Sequence, residues 1–233
     1  MIKQGIDLSR WNTVSSFDDL KKEGIDFVIL RIGGNNGGFY KDPKFELYYK
    51  AAKKAKLNVG CYYDTGKDFI SSAIGHECAS HILKLMEGHS FEFPVYADIE
   101  TVATVHKEGA TDAAISFCEN LEQHGYFAGI YASDISGFKD RLNLKRFEGR
   151  FSLWVARYGR KPEYVKDYAM WQKSNAGQLK GMLSKVDLDE CTVNFPSIIK
   201  KKHLNGFKEV RNANIYRQKE GGGCGWESSE MVP

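Results

Sequence analysis

Short apolar runs alternate with amphipathic stretches along most of this chain. The runs have the length of β-strands, and eight of them stand at residues 5–9, 27–32, 58–64, 95–100, 127–132, 152–157, 169–172 and 186–188. Between the first five, apolar residues recur at helical spacing in segments 17–23, 43–56, 71–87 and 111–124. Strands that alternate with helices pair in parallel. Eight such strands within about 200 residues predict a small closed barrel.

The spacing changes after the sixth strand. Only residues 158–167 separate the sixth and seventh strand candidates, and Pro162 interrupts them. A parallel crossover usually needs about a dozen residues or more. We therefore expect loops between the last three strands, with some of these strands antiparallel. The predicted fold class is α/β, a single-domain irregular TIM-like (β/α)5(β)3 barrel with five helices.

The barrel is predicted to occupy residues 1–202. A chain of 233 residues fits one large domain or two small ones, and no internal repeat is present. Residues 203–233 lack periodicity and contain the glycine- and serine-rich stretch 220–229. They are predicted to be a flexible C-terminal tail with no recognised domain.

The charge and composition of the chain limit the classes of protein to which it could belong. The net charge of +3 is too small to indicate nucleic-acid binding, although it suits an anionic polymer such as a cell wall. No run approaches the ~18 apolar residues of a membrane span, and Asp7 interrupts the N-terminus before a signal peptide could form. We expect a soluble chain made in the cytoplasm, which would reach a wall by release from the cell or by another export route. The five cysteines include no C-x-x-C pair and are interpreted as reduced, buried residues.

Acidic residues stand at the ends of three predicted strands. Asp98 and Glu100 are two positions apart on the fourth strand, so they share one face about 6–7 Å apart. Asp7 stands on the first strand and Asp187 on the eighth, and these strands become neighbours when the barrel closes. Crowded carboxylates raise one another's pKa, which keeps a general acid protonated at neutral pH.

Several motifs together identify a family. The octet GIDLSRWN at residues 5–12, YADIE at 96–100, MWQ at 170–172 and VDL at 186–188 resemble family 25 glycoside hydrolases, the lysozymes of the Chalaropsis and phage-endolysin type. GCYY at 60–63 and LWVARY at 153–158 are also similar, and the resemblance covers residues 2–195. It implies an N-acetylmuramidase that cuts the β-1,4 bond between N-acetylmuramic acid and N-acetylglucosamine in peptidoglycan.

The resemblance also implies roles for the four acids. Glu100 would be the general acid, and Asp98 would stabilise the 2-acetamido group or the charged intermediate. Asp7 and Asp187 would tune Glu100 and hold the sugar. A covalent intermediate, an inverting water and the substrate's own amide all remain open as the route.

Candidate substrate-binding residues are Tyr62, Tyr96, Trp11, Trp154, Trp171 and Gln172. For each aromatic residue among them, packing in the core is an equally good interpretation. Asp189 is interpreted as structural. No cofactor or metal is expected, the expected partner is the peptidoglycan glycan strand, and the chain is expected to be a monomer.

Two other functions remain open. The four acids could hold Mg²⁺ or Ca²⁺ in a metal-dependent hydrolase, because carboxylates suit these hard cations. Alternatively, the barrel could bind wall polysaccharide without cutting it, although such a protein has no need for an acid at position 100.

Overall fold

A closed eight-stranded barrel forms the centre of the protein. The structure, a computed structural model, describes residues 2–147 and 149–207. The described strands are β1 (Lys3–Leu8), β2 (Phe27–Asn35), β3 (Phe39–Lys41), β4 (Asn58–Asp64), β5 (Val95–Asp98), β6 (Ala128–Ser133), β7 (Ser152–Ala156), β8 (Met170–Gly177) and β9 (Val186–Cys191). All but β3 form the barrel, which closes by pairing of β1 with β2. The eight predicted strands are thus all present, and the predicted fold class is confirmed.

Strand direction is uniform around most of the barrel. From β1 through β2 and β4 to β8, every neighbouring pair is parallel. Strand β9 runs antiparallel to both β8 and β1, since the short connection 178–185 leaves no room for a parallel crossover. An additional short strand, β3, pairs antiparallel with the end of β2 and has no counterpart among the eight predicted strands.

The described α-helices are α1 (Phe17–Lys22), α2 (Phe45–Lys54), α3 (Ser72–Leu85), α4 (Lys107–Gln123) and α5 (Phe195–Lys201). Ser16 and Ser71 begin α1 and α3, and their hydroxyl groups accept hydrogen bonds from the backbone N–H groups of Asp19 and Ile74. A fifth βα unit would place a helix between β6 and β7. The described part of that connection instead contains a π-helix at Asp134–Lys139 and a short 3-10 helix at Leu144–Arg146. None of the helices in the described ranges is long and apolar enough to cross a bilayer.

Apolar side chains fill both the barrel interior and the shell between strands and helices. The interior holds large rings such as Phe27, Tyr96 and Trp154, which are almost wholly buried. Gly129 on β6 makes room for Tyr96, because a Cβ at that position would lie 2.4 Å from the tyrosine ring. Cys61, Cys78, Cys118 and Cys191 are buried free thiols, as predicted, and Cys224 lies outside the described residues.

The packing of the barrel continues beyond residue 202. Asn205 is fully buried, accepts a hydrogen bond from the Phe127 N–H at 2.6 Å and donates one to the Phe93 carbonyl at 2.8 Å. These bonds tie residues 203–207 to the chain just before β5 and β6. Residues 203–207 therefore pack against the barrel, while the domain boundary at residue 202 stays a prediction. Residues 208–233 of the predicted tail lie outside the described part of the chain.

Candidate active site

A polar cavity of about 140 Å³ opens at the end of the barrel where the parallel strands finish. It is lined by Asp7, Tyr62, Asp98, Glu100, Tyr131, Trp154, Tyr158, Gln172 and Asp187. The fold therefore gathers all four predicted acids in one place. The same cavity contains three of the six residues predicted to bind substrate, namely Tyr62, Trp154 and Gln172.

Strand direction explains how the acids meet. Asp98 is the last residue of β5, and Glu100 follows two residues later. Asp7 lies opposite Asp187 in the register of β1 and β9. The sequence pattern had placed Asp187 at a strand end, but it is the second residue of β9. Because β9 runs antiparallel, its beginning reaches the same rim as the end of β1.

Hydrogen bonds to the backbone of Asp98 fix its position, while one oxygen of its side chain is left without a partner among the described residues. Its carbonyl accepts hydrogen bonds from the Thr65 hydroxyl at 2.7 Å and the Thr65 N–H at 3.2 Å. Its Oδ1 atom is buried and has no hydrogen-bond partner within residues 2–147 and 149–207. Buried acceptors normally find a donor, so this oxygen is suited to an N–H or O–H group of a ligand in the cavity.

Glu100 stands at the mouth of the cavity. Its Oε1 atom lies 3.4 Å from the hydroxyl of Tyr131. The loop that carries it is fixed by Arg141, which donates from Nε to the Val102 carbonyl at 2.6 Å and from Nη1 to the Ile99 carbonyl at 3.5 Å. The carboxyl group is therefore presented to the opening by a braced loop.

Gln172 connects the two sides of the cavity. Its Nε2 donates to Asp7 Oδ2 at 2.7 Å, and its Oε1 lies 2.9 Å from the Tyr131 hydroxyl and 3.1 Å from the Tyr158 hydroxyl. Gln172 is 3% exposed. Each of its amide atoms has a partner, so the network holds Asp7 and both tyrosines in defined positions.

The surroundings favour the protonated forms of the acids. Burial raises the pKa of Asp98 well above its usual value, and the charge of Glu100 raises it further. Burial also raises the pKa of Asp7, with Asp189 and Asp187 adding to the effect. Although part of Glu100 reaches solvent, the cavity walls withdraw water from its carboxyl group and raise its pKa, against the opposing effects of Tyr131 and Arg141. Burial likewise raises the pKa of Asp187.

Comparison with known proteins decides the family. The family model described as Glycosyl hydrolases family 25 matches residues 6–182, most of the chain. This chain belongs to glycosyl hydrolase family 25. An autolytic lysozyme of Clostridium acetobutylicum is 26% identical over 189 residues, which cover 80% of this chain and 55% of that protein. The family 25 chain described here thus spans about half the length of this curated relative.

Solved structures agree with the family assignment. The CTP1L endolysin superposes with a TM-score of 0.73 at 26% identity, covering 85% of this chain and 70% of that one. A family 25 glycosyl hydrolase from Bacillus anthracis superposes with a TM-score of 0.70 at 20% identity, covering 87% and 93% of the two chains. The second likeness concerns the fold alone.

Three residues predicted to bind substrate lie elsewhere in this family 25 barrel. Tyr96 shares a strand face with Asp98 but stands one step deeper, fully buried with its ring 5.3 Å from that of Trp154. Trp171 is turned away from the cavity by strand alternation, and its indole N–H donates to the Arg157 carbonyl at 2.7 Å. Trp11 is 73% exposed and lines a separate, neighbouring cavity. None of these three rings lines the acidic cavity, and their role in substrate binding stays a prediction.

Sequence reasoning missed Tyr131 and Tyr158, which the cavity includes. Tyr131 stands near the end of the fifth strand candidate. The acids were located by their position at strand ends, and the same criterion would have included Tyr131. Tyr158 ends the LWVARY motif but follows β7. Among the described residues, no group of three or more His, Cys, Asp or Glu side chains is arranged to hold a metal ion.

Proposed function

We propose that this chain is a lysozyme that hydrolyses the β-1,4 bond between N-acetylmuramic acid and N-acetylglucosamine in bacterial peptidoglycan. The acidic cavity at the barrel rim carries the proposal, because it combines a carboxyl group of raised pKa at the mouth with an unpartnered buried carboxylate oxygen below it. Membership of family 25 and the likeness to an autolytic lysozyme support this choice of substrate.

Glu100 is the proposed general acid. Glycoside hydrolysis needs a carboxylic acid that still holds its proton at working pH, so that it can protonate the leaving oxygen. Burial shifts the pKa of Glu100 upward, which is the direction that this role requires. Its place at the mouth leaves it open to the glycosidic oxygen of a bound polymer.

Asp98 is the proposed partner of the sugar's acetamido group. An acetamido N–H that donates to the free Oδ1 of Asp98 would satisfy the buried acceptor and favour its ionised form. The carboxylate would then orient the acetamido oxygen toward the anomeric carbon and stabilise the positive charge that develops. This is the substrate-assisted variant of glycoside hydrolysis.

Asp7, Asp187 and Gln172 are proposed to position these groups. The Asp7 and Asp187 carboxyl groups interact by a hydrogen bond when one of them carries a proton, and Gln172 fixes the orientation of Asp7. The negative charge of Asp187 raises the pKa of Glu100. Tyr62 remains a proposed contact for the sugar rings, and Tyr158 is now proposed as a second one, because both line the cavity.

The test is the release of new reducing ends from purified peptidoglycan, identified by borohydride reduction and mass analysis. Wild-type protein should produce reducing ends on muramic acid. Glu100→Gln should lower the rate by about 10²–10⁴-fold, the usual contribution of a general acid, and Asp98→Asn should lower it strongly with less loss of binding. Glu77→Gln, an exposed change on α3, is the matched control and should have no effect.

Three outcomes would contradict the proposal. Near-normal release by Glu100→Gln would remove the general acid. Reducing ends on glucosamine would indicate cleavage of the other glycosidic bond. Loss of activity in excess chelator would favour the metal-dependent hydrolase instead.

Sedimentation of the active protein would test the expectation that it works as a monomer.

A further inference from the structure

A second cavity lies beside the acidic one. It has a volume of about 470 Å³ and is bordered by the loop after β1 and by the β2–β3 hairpin. Its lining includes Arg10, Trp11, Arg31, Tyr40 and Asp64. The two cavities are adjacent, because Asp64 lies opposite Asp98 in the register of β4 and β5.

Arg31 lines this second cavity and carries a buried donor without an acceptor in the described part of the chain. Its side chain is 9% exposed, and its Nε donates to Asp42 Oδ2 at 2.8 Å. Its Nη2 atom is buried and finds no hydrogen-bond acceptor among the residues that the structure describes. A buried guanidinium N–H without an acceptor is rare and costly. The fold therefore holds a cationic donor ready for an acceptor from outside the chain.

Asp42, which pairs with Arg31, and Asp64, which lines the second cavity, already have hydrogen-bond donors. Asp42 accepts from the Lys44 N–H through Oδ1, and from the Arg10 N–H and Arg31 through Oδ2. Asp64 accepts from the Tyr40 hydroxyl at 2.8 Å through Oδ2 and from a backbone N–H through Oδ1. Neither carboxylate is left to satisfy the free Nη2 atom.

Arg10 adds a second guanidinium group at the same cavity. It is exposed, stacks 4.6 Å from the Trp11 ring centre and lies 5.8 Å from that of Tyr40. Within the described ranges its guanidinium group forms no ion pair. The aromatic rings hold it in place without neutralising its charge.

The hairpin that borders the cavity is preformed. A Cβ at Gly33 would lie 2.3 Å from the Tyr40 carbonyl oxygen, and a Cβ at Gly34 would lie 2.5 Å from that of Asp64. Glycine at both positions lets β3 and β4 pack closely against β2. Gly37 and Gly38 then form the turn with positive φ angles of 78° and 131°.

We propose that this second cavity binds a carboxylate of the peptide stem carried by muramic acid, a proposal that rests on the proposed function. Guanidinium groups match the planar geometry of a carboxylate. The exposed rings of Trp11 and Phe39 offer apolar contact for the short aliphatic side chains of a stem. The cavity lies to one side of the acidic mouth, where a branch from a bound glycan strand would project.

The test compares kcat/KM on two forms of one glycan: peptidoglycan with intact stems, and the same material after an amidase has removed them. Arg10→Gln and Arg31→Lys should each reduce the ratio of intact to stem-free kcat/KM by about tenfold, the effect of about 1.4 kcal/mol. Arg31→Lys keeps a positive charge beside Asp42 but loses the guanidinium fork. Lys22→Gln, which removes one charge from the exposed end of α1, is the control and should leave the ratio unchanged.

Esterifying the stem carboxylates should abolish the wild-type preference for the intact form. An unchanged ratio in Arg10→Gln would overturn the proposal even if Arg31→Lys fails to fold, because Arg10 is exposed. Equal wild-type kcat/KM on both glycans would also overturn it while leaving the lysozyme function intact. Failure of the wild-type protein to cut either glycan would instead refute the proposed function.

Discussion

Asp189 is a buried acid beside the candidate active site, and replacing it with asparagine should stabilise the protein. Asp189 is 0% exposed, and its Oδ1 accepts a hydrogen bond from the Trp154 indole N–H at 2.9 Å. Its Oδ2 has no hydrogen-bond partner in the described chain. Burial raises its pKa well above the usual value, and the charge of Asp187 adds to this. An asparagine keeps the oxygen that faces Trp154 and removes the charge.

The size of the effect follows from the burial that raises the pKa of Asp189. Each unit by which folding raises a pKa corresponds to about 1.4 kcal/mol. A carboxyl group with an unfolded pKa of about 3.9 that stayed fully protonated at pH 7 would destabilise the fold by about 4 kcal/mol, which is the upper limit. The bond from Trp154 and the charge of Lys173 favour the ionised form, so we expect on the order of 1–3 kcal/mol.

The assay is thermal unfolding of both proteins from pH 4 to pH 8. At a pH below the pKa that the carboxyl group has in the unfolded chain, its raised pKa in the folded chain costs no stability. As the pH rises toward the pKa in the folded chain, the fold loses stability. The increase in Tm caused by Asp189→Asn should therefore be small at pH 4 and should reach about 2–12 °C at pH 8. Asp68→Asn, an exposed change, is the control. A gain that is independent of pH, or a loss of stability at pH 8, would refute the reasoning.

Other changes at the site have equally definite outcomes. Gln172→Leu should cost about 2–4 kcal/mol in urea unfolding, because it leaves the buried Asp7 without its donor; a neutral result would mean that the amide does not hold the network. Arg141→Gln should move the alkaline limb of kcat/KM to higher pH, since the guanidinium group lowers the pKa of Glu100; a shift to lower pH would contradict this. Asp134→Ala should lower the free energy of unfolding by about 3–5 kcal/mol in the same urea assay. This buried acid pairs with an arginine and accepts hydrogen bonds from three backbone N–H groups of the β7–β8 loop. A loss below about 1 kcal/mol would argue against that role.

The sequence was sufficient to locate the strands and the acids. Apolar runs of strand length reveal each barrel strand directly, because a strand buried on both faces is apolar along its length. Asp98 and Glu100 are two positions apart, so their common face follows from the alternation of side chains. The closing of the barrel between its first and last strands then places Asp7 beside Asp187, as the register confirms.

The depth of each side chain within the barrel was decided only by tertiary packing. Sequence alternation shows that Tyr96 and Asp98 share a face, but the radius of the barrel decides that Tyr96 is core and Asp98 lines a cavity. The β2–β3 hairpin and the tie at Asn205 depend on partners far along the chain, so no local pattern indicates them. Local periodicity encodes which residues share a face, whereas the partner of that face is set by contacts between residues distant in sequence.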